Sequence, residues 1–235
     1  MPISEIRPPH LYRFTIGAFQ SYLWRDIDGI TLIDSGAVGS GPELATLLGE
    51  LGIKTSDVDR LVLTHFHQDH TGAAAEVAEW GKVEILAGAP DAPIIRGDVP
   101  APAPVYRSDA ERELAAKVTA GLPKAPPCRV DRELTDGVVL DIASGAQVIA
   151  GPGHTDGSIG LFLIEPRVLF TGDTIACDKG RVLLGPFNLD TERAVESFRL
   201  LAGFGADIAC FGHGEPLVGN AHETLALAAK NPVMI

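Results

Sequence analysis

Three of the chain's seven histidines fall within one short stretch, THFHQDH, which runs from Thr64 to His70. His65 and His67 follow an apolar run and stand two residues apart, so in an extended segment both side chains project to the same side and can bind one metal ion. Asp69 and His70 come as the chain turns into a helix, where they point away from the first pair. The stretch therefore supplies nitrogen and oxygen ligands for two neighbouring metal ions.

Two further histidines and one aspartate follow apolar strands later in the chain. His154 lies in GPGHTDGS and His213 in CFGHGEP, where glycine neighbours let the backbone bring an imidazole close to a ligand. Asp173 ends the run VLFTGD and supplies a carboxylate that can bridge two cations. Composition alone would produce HxHxDH in roughly one chain in a few thousand. We therefore expect these residues and the histidine stretch to meet at one metal site.

The types of ligand indicate the metal and the reaction. Imidazole and carboxylate without thiolate suit zinc, and iron and manganese remain open because the same groups bind them. A bound metal ion lowers the pKa of its water to about 7, and a hydroxide shared by two metal ions is placed to attack a carbonyl or phosphoryl centre. The reaction class that this site predicts is hydrolysis.

The elements that must position these residues alternate between apolar strands and amphipathic helices, the pattern of an α/β protein. A first helix is predicted from a capping box formed by Ser40 and Glu43. A second is predicted directly after the histidine stretch, over Ala73–Trp80. Two more are predicted over residues 190–201 and in the C-terminal segment AHETLALAAK.

The two halves of the sequence look like versions of one strand–helix–strand unit. In the first half LIDSG places Asp34 after a strand, a helix follows, and DRLVLTHFH ends in histidines. In the second half VLFTGD ends in Asp173, a helix follows, and ADIACFGHG ends near His213. Packed face to face, the halves would bring both sets of strand ends to a single cleft.

Residues from about 90 to 131 differ from the rest by their proline, alanine and charge. Proline at that density argues against central strands, so we predict an irregular flap with one helix, inside a single domain over residues 1–235. A surface insertion and a cover over the site are both open for the flap, and Tyr106 is its candidate substrate contact. Its apolar residues would suit a homodimer, although no sequence feature indicates one.

Composition excludes several classes of partner. The net charge of −12 opposes binding to nucleic acid. No stretch is long and apolar enough to span a bilayer. The N-terminal MPISEIRPPHLYRF lacks the basic end and apolar segment of a secretory signal, so a cytoplasmic protein is expected. Cys128, Cys177 and Cys210 are odd in number and form no CxxC pair, which predicts buried thiols rather than disulfides or a thiolate zinc site.

The motifs LIDSG, THFHQDH, GHTDGS, TGDT and GHG, in this order, resemble those of the metallo-β-lactamase superfamily over most of the chain. The resemblance implies an αββα sandwich of two similar halves, with a dinuclear metal site at the strand ends. It also implies a dinuclear hydrolase with two zinc ions per chain. By position, the implied ligands are His65, His67 and His154 for the first ion, Asp69, His70 and His213 for the second, and Asp173 as the bridge.

The resemblance further assigns roles around the metal ions. A hydroxide bridging the ions would be the nucleophile, with Asp69 and Asp173 as the catalytic carboxylates. Asp34 would orient the metal-binding loop from behind it, and its alternative is a turn former at a strand end. One departure is Asp156, which stands where the family commonly has proline and which we expect to cap a turn rather than bind a ligand.

Within that family the residues favour a small ester-like substrate. No cysteine stands among the implied ligands, which disfavours β-lactams, and His67 replaces the glutamate of the di-iron flavoproteins, which disfavours oxygen chemistry. Glyoxalase II carries a helical domain after its last histidine, whereas 22 residues follow His213 here. Lactones, thioesters, carboxylic esters and phosphate esters remain open.

Several residues are candidates to hold the substrate carbonyl. Lactonases of this fold usually have a tyrosine between the bridging aspartate and the last histidine, and none occurs between Asp173 and His213. Arg181, Asn188 or a backbone amide would have to replace it. A di-iron redox protein and a non-catalytic metal-binding module are the alternatives from other classes, and the complete ligand set favours an enzyme over both.

Overall fold

Two β-sheets face each other at the centre of the molecule. The computed structural model describes residues 2–7 and 9–233. The strands in chain order are β1 (Ile3–Arg7), β2 (Leu11–Ile16), β3 (Phe19–Asp26), β4 (Gly29–Ile33), β5 (Arg60–Leu63), β6 (Glu84–Gly88), β7 (Arg132–Leu134), β8 (Val139–Leu140), β9 (Ala146–Ala150), β10 (Ile159–Leu163), β11 (Val168–Phe170), β12 (Ile175–Asp178), β13 (Arg181–Leu184), β14 (Ile208–Cys210) and β15 (Leu217–Val218). The helices are α1 (Gly41–Glu50), α2 (Gln68–Thr71), α3 (Ala74–Ala78), α4 (Ala92–Arg96), α5 (Asp109–Val118), α6 (Thr191–Ala202) and α7 (Ala221–Lys230).

The two sheets repeat one topology. The first has the order β1-β2-β3-β4-β5-β6-β7 and the second the order β15-β14-β11-β10-β9-β8. In the first sheet β4 pairs in parallel with β5 across α1, and in the second β11 pairs in parallel with β14 across α6. Strands β12 and β13 form a separate hairpin that precedes α6. The predicted duplication of a strand–helix–strand unit is confirmed.

Each central strand is apolar on both faces because both faces are covered. In β5, Leu61 and Leu63 join the core beneath α1 and α3, while Val62 lies between the sheets. In β11, Val168 lies between the sheets and Leu169 packs beneath α6 and α7. Side chains alternate along a strand, so this two-sided burial requires a helical layer outside each sheet. The predicted αββα sandwich is confirmed.

The first helix has the predicted position, but its predicted capping box is wrong. Ser40 follows a turn in which its own N–H donates to the carbonyl of Ala37, and its φ of −73° and ψ of −17° are already helical. An N-cap side chain reaches the first turn from extended backbone. The hydroxyl of Ser40 accordingly makes no capping hydrogen bond.

The other helices match the predictions to different degrees. Helix α6 begins after Asp190, whose side chain accepts from the N–H of Arg193, and α7 covers the predicted AHETLALAAK. The helix predicted after the histidine stretch begins earlier, at Gln68, and is divided into α2 and α3. At the break Gly72 packs so tightly that a Cβ would lie 2.2 Å from the Val38 nitrogen. The local pattern could not show this contact with the loop before α1.

The proline-rich segment from 90 to 131 holds two helices, α4 and α5, rather than the one predicted. Pro93 stands in the first turn of α4, where its missing N–H costs nothing. On α5, Glu111 accepts hydrogen bonds from the backbone N–H of Arg107 at 2.7 Å and of Phe187 at 3.2 Å. The segment is therefore tied to the loop before α6. Its role as a cover, and the single domain over 1–235, stay predictions.

The cysteines behave as predicted. All three are buried and unpaired, and burial raises the pKa of the Cys128 thiol to about 11. None of the helices in the described part of the chain combines the length and the apolar character that a membrane crossing requires.

Candidate metal centre

The side chains singled out from the sequence meet where four central strands end. Asp34 follows β4, the histidine stretch follows β5, Asp173 follows β11 and His213 follows β14. The carboxyl ends of parallel neighbours lie at the same edge of a sheet, and the two sheets face each other. The structure therefore brings all of the predicted ligands to one cleft.

Three histidines form the first donor group. The Nε2 atoms of His65 and His154 lie 3.1 Å and 2.9 Å from Nδ1 of His67. Two nitrogens bound tetrahedrally to one zinc ion at about 2.0–2.1 Å lie roughly 3.4 Å apart, so this spacing suits a shared ion. The pair lies just beyond β5, which ends at Leu63: residues 64–66 form a bend, and His67 is extended, with φ −62° and ψ 147°. His67 presents Nδ1 to the centre, whereas its neighbours present Nε2.

Asp69, His70 and His213 form the second donor group. Oδ2 of Asp69 lies 3.2 Å from Nε2 of His213 and 3.7 Å from Nε2 of His70. The His213 side chain is 38% exposed and that of Asp69 is 21% exposed, whereas His70 is buried. The second group therefore lines the open side of the centre, where a substrate can enter.

Asp173 lies between the two groups. Its Oδ1 is 3.4 Å from Nε2 of His70, and its Oδ2 is 3.4 Å from Nε2 of His213. Oδ2 also lies 4.0 Å from Nε2 of His65 and 3.8 Å from Nε2 of His154. One carboxylate thus faces both groups, which is the position that a bridging ligand requires.

Two observations show that the centre fits cations. Nε2 of His70 and Oδ1 of Asp173 are buried without a hydrogen bond of normal geometry, although buried polar atoms are nearly always paired. A Cβ on Gly212 would lie 1.9 Å from that Asp173 oxygen and 2.8 Å from Cε1 of His70, so glycine is needed to leave this space free. The unpaired atoms and the adjoining space both suit a bound metal ion.

Adding a methyl group at Gly212 is expected to disrupt the centre. The methyl of Gly212→Ala would displace Asp173 and His70, and a shift of about 1 Å at a reacting centre lowers kcat/KM by about 100-fold. Metal content after gel filtration and zinc-supported turnover measure the effect. Gly49→Ala is the matched control, because a Cβ there meets nothing within 4 Å. Normal metal content and rate in Gly212→Ala would contradict this account of the space.

The histidines of the first group are held neutral. Burial lowers the pKa of His65 and of His154, and it lowers that of His67 to about 3. A neutral imidazole keeps the lone pair that binds a metal ion. The first group is therefore ready to bind a cation across the whole neutral range of pH.

The second group favours positive charge. Burial works to lower the pKa of His70, but Asp173, Asp34 and Asp69 outweigh it and raise that pKa. Asp173 likewise raises the pKa of His213 to about 10. The carboxylates therefore make this side of the centre a place where a cation is stabilised, and metal binding there would release protons.

Asp34 lies directly behind His70. Its Oδ2 accepts from Nδ1 of His70 and from the hydroxyl of Thr64, both at 2.8 Å, and its Oδ1 accepts from the Thr64 N–H at 2.8 Å. Because His70 donates through Nδ1, its Nε2 faces the centre and would offer its lone pair once its proton is released. The geometry supports the orienting role that the sequence predicts for Asp34.

Replacing Asp34 by asparagine is expected to lower zinc affinity by about 10–100-fold. Asparagine tolerates the left-handed backbone at this position, where φ is 60°. Its amide group would donate to Nδ1 of His70 and force the ring proton onto Nε2, which faces the centre. Competition with a chromophoric chelator measures the affinity. Asp59→Asn, which replaces an acceptor of the Ile30 N–H at the opposite end of β4, is the control. Equal affinities in both variants would refute the orienting role.

Residues 18–213 match the metallo-beta-lactamase superfamily. The chain belongs to this superfamily. It is 33% identical to the probable metallo-hydrolase YflN of Bacillus subtilis (strain 168) over 68% of this chain and 65% of that protein. It is 28% identical to a hydroxyacylglutathione hydrolase of Cereibacter sphaeroides over 85% of this chain and 65% of that protein. The matched part thus spans slightly less than two thirds of either relative.

A solved structure with low sequence identity to this chain has the same fold. BJP-1, a subclass B3 metallo-β-lactamase of Bradyrhizobium japonicum, superposes with a TM-score of 0.71 at 19% identity. The superposition covers 98% of this chain and 90% of that one. This similarity confirms the fold, and the match over residues 18–213 confirms the family expected from the motifs.

The metallo-β-lactamase fold holds His213 with residues that the sequence analysis missed. Nε2 of Gln20 donates to the carbonyls of Phe211 and Gly214 at 2.7 Å and 3.2 Å, and the Tyr22 hydroxyl donates to the same Phe211 carbonyl at 2.8 Å. Both side chains belong to β3 of the opposite sheet. Polar side chains alternate with apolar ones through this strand, FQSYLWRD, and only the packing of the two sheets reveals their target.

Two residues considered as substrate contacts lie elsewhere. Asn188 is 3% exposed, and its Nδ2 donates to the carbonyl of Gly185 at 2.7 Å. Its Oδ1 and Nδ1 of His154 are both buried without a hydrogen bond of normal geometry, and the Asn188 side chain works against the lowering of the His154 pKa by burial. Asn188 therefore lies behind a metal-site histidine. Arg181 is exposed at the start of β13.

Asp156 and Tyr106 also have local partners. Asp156 accepts from Nη1 of Arg193 at 2.9 Å, and both side chains are about half exposed or more. Tyr106 lies beneath the guanidinium of Arg112, with 5.7 Å from that carbon to the ring centroid.

Proposed function

We propose that this chain is a metal-dependent hydrolase of a small ester-like substrate, either a lactone, a thioester or a carboxylic ester. The observation that carries the proposal is the position of Asp173, which lies within 4.0 Å of a histidine nitrogen in each of two donor groups. Two zinc ions per chain suit this arrangement, and iron and manganese bind the same groups. Small molecules fit the net charge of −12 better than nucleic acid does.

The residues divide the work between holding metal and directing water. His65, His67 and His154 would hold one ion, and His70 and His213 would hold the other together with Asp69. When bound, divalent cations polarise a substrate carbonyl and acidify water.

Asp69 is placed to orient the attacking water from the open side. Burial works to raise its pKa, but His70 and the hydrogen bond from His213 outweigh burial and lower that pKa to about 2. Asp69 is therefore an ionised acceptor at neutral pH. The water oxygen bonds to the carbonyl carbon, the bond to the alkoxide or thiolate breaks, and the leaving group takes up the proton.

Family membership supports hydrolysis more strongly than it supports any one substrate. The Cereibacter sphaeroides relative is by its name a hydroxyacylglutathione hydrolase, and an acylglutathione is a thioester. Thioesters are therefore the first substrates to test, with lactones and carboxylic esters next.

A proton-release assay tests the proposed function. The zinc-loaded protein is offered thioesters, lactones, carboxylic esters, β-lactams and phosphate esters in one pH-indicator format, with and without a chelator. We expect turnover of one carbonyl ester class that the chelator abolishes. Turnover of phosphate esters alone, or of no class by a zinc-loaded protein, would refute the proposal.

A further inference from the structure

Asp91 is a buried carboxylate outside the predicted ligand set. It follows β6 and stands at the N-cap position of α4, but its side chain does not cap that helix. Its Oδ2 accepts from the N–H of Phe66 at 2.9 Å and from the hydroxyl of Thr155 at 2.7 Å, and its Oδ1 accepts from the N–H of Gly157 at 2.8 Å. All three hydrogen bonds go to other segments of the chain.

These donors belong to the two loops that carry the three-histidine group. Phe66 lies between His65 and His67, and the other two donors follow His154 by one and three residues. The loops are far apart in sequence, yet the carboxylate binds both at once. Asp91 therefore joins the two loops whose histidines converge on Nδ1 of His67.

The loop that follows His154 packs closely against Asp91 and the end of β6. A Cβ on Gly157 would lie 2.5 Å from Oδ1 of Asp91, and a Cβ on Gly88 would lie 2.1 Å from the carbonyl oxygen of Gly157. Glycine at both positions allows the loop to reach the carboxylate. The contact is thus shaped by the backbone of both segments as well as by the Asp91 side chain.

Keeping a carboxylate here costs free energy. Asp91 is 1% exposed, and burial raises its pKa to about 6 even though three donors favour the ionised form. A side chain that serves stability alone would be easier to replace by an apolar group of similar volume. The cost is consistent with a role in the geometry of the site.

We propose that Asp91 is a positioning residue for the three-histidine group. By holding the His154 loop against the loop of His65 and His67, it sets the spacing of the nitrogens and so the affinity of that group for metal. This role rests on the proposed function, because it requires that the three histidines bind a metal ion.

Cobalt(II) titration followed by visible absorption tests the role without any substrate. We expect the wild type to bind two equivalents, and His213→Ala to weaken the second group and leave the spectrum of the three-histidine group. In Asp91→Ala, cobalt affinity of the three-histidine group should fall by about 10–100-fold while the second group keeps its affinity. Thr155→Val removes one of the three hydrogen bonds to Asp91, together with the contact between the Thr155 and Ser158 hydroxyls, and should produce a smaller loss at the same group.

Asp131→Ala is the matched control, because Asp131 accepts from the N–H of Ile85 near the opposite end of β6. It should leave both cobalt affinities unchanged. Equal weakening of both groups by Asp91→Ala, or no weakening of either, would overturn the positioning role. If Asp91→Ala does not fold, wild-type affinities in Thr155→Val would overturn it. A wild-type protein that binds no cobalt or zinc would instead refute the proposed function, and the role of Asp91 with it.

Discussion

Replacing Asp173 by alanine is expected to lower kcat/KM by more than about 100-fold, the upper end of the loss seen when a residue behind a metal ligand is removed. Asp173 faces both donor groups, so its removal weakens both metal positions at once. The strands of both sheets pack through apolar cores that do not include Asp173, and the circular dichroism spectrum should be unchanged. Steady-state rates on the best substrate of the panel measure the loss.

Asp156→Ala is the control for the loss of an aspartate near the site. Asp156 forms an exposed pair with Arg193, and such pairs contribute about 0–1 kcal/mol. This variant should keep a rate close to that of the wild type. A near-normal rate in Asp173→Ala would rule out the dinuclear hydrolysis mechanism.

Removing the metal ions is expected to abolish turnover and to lower the thermal midpoint. A ligand present at about 1,000 times its Kd stabilises the folded state by about 4 kcal/mol. For a chain of 235 residues each kcal/mol changes Tm by about 2–4 °C, so one site corresponds to about 8–16 °C. The physical reason is the cluster of Asp34, Asp69 and Asp173, whose charge the bound cations compensate. Differential scanning fluorimetry with and without a chelator measures the change.

Restoring the metal ions separates this effect from damage by the chelator. Zinc should return both the rate and the midpoint, whereas magnesium should return neither, because it prefers oxygen ligands. In Asp173→Ala the chelator should change the midpoint much less than in the wild type. An unchanged rate and midpoint after complete metal removal would show that the centre is not a metal site.

Local pattern was sufficient for most of the fold. Apolar strands such as the one that holds Leu61 and Val62 must be covered on both faces. The repeated strand–helix–strand unit correctly predicted the crossovers through α1 and α6. The capping box at Ser40 failed because a turn before the helix had already made the backbone helical. The break at Gly72 depends on contact with a distant loop. The second error comes from a contact that no local window contains, whereas the first comes from a local turn that the capping-box pattern does not show.

The candidate site, too, was predicted only in part from the sequence. The metal-binding residue types and their spacing indicated which side chains would converge, and the convergence of His65, His154 and Asp173 follows from the strand ends. The sequence analysis did not predict that His67 would present Nδ1 to the centre. Asp91 lies in a proline-rich segment without a metal-binding pattern, and its partners are visible only once the sheets are assembled.

Anomalous X-ray diffraction from crystals of the zinc-loaded protein, recorded on both sides of the zinc edge, is the most direct test of the centre. We expect two zinc peaks per chain, one on either side of the Asp173 carboxylate. One should lie about 2.0–2.1 Å from nitrogens of His65, His67 and His154, and the other at about 2.0–2.2 Å from His70, His213 and Asp69. A single peak, or zinc bound only away from Asp173, would contradict the dinuclear centre.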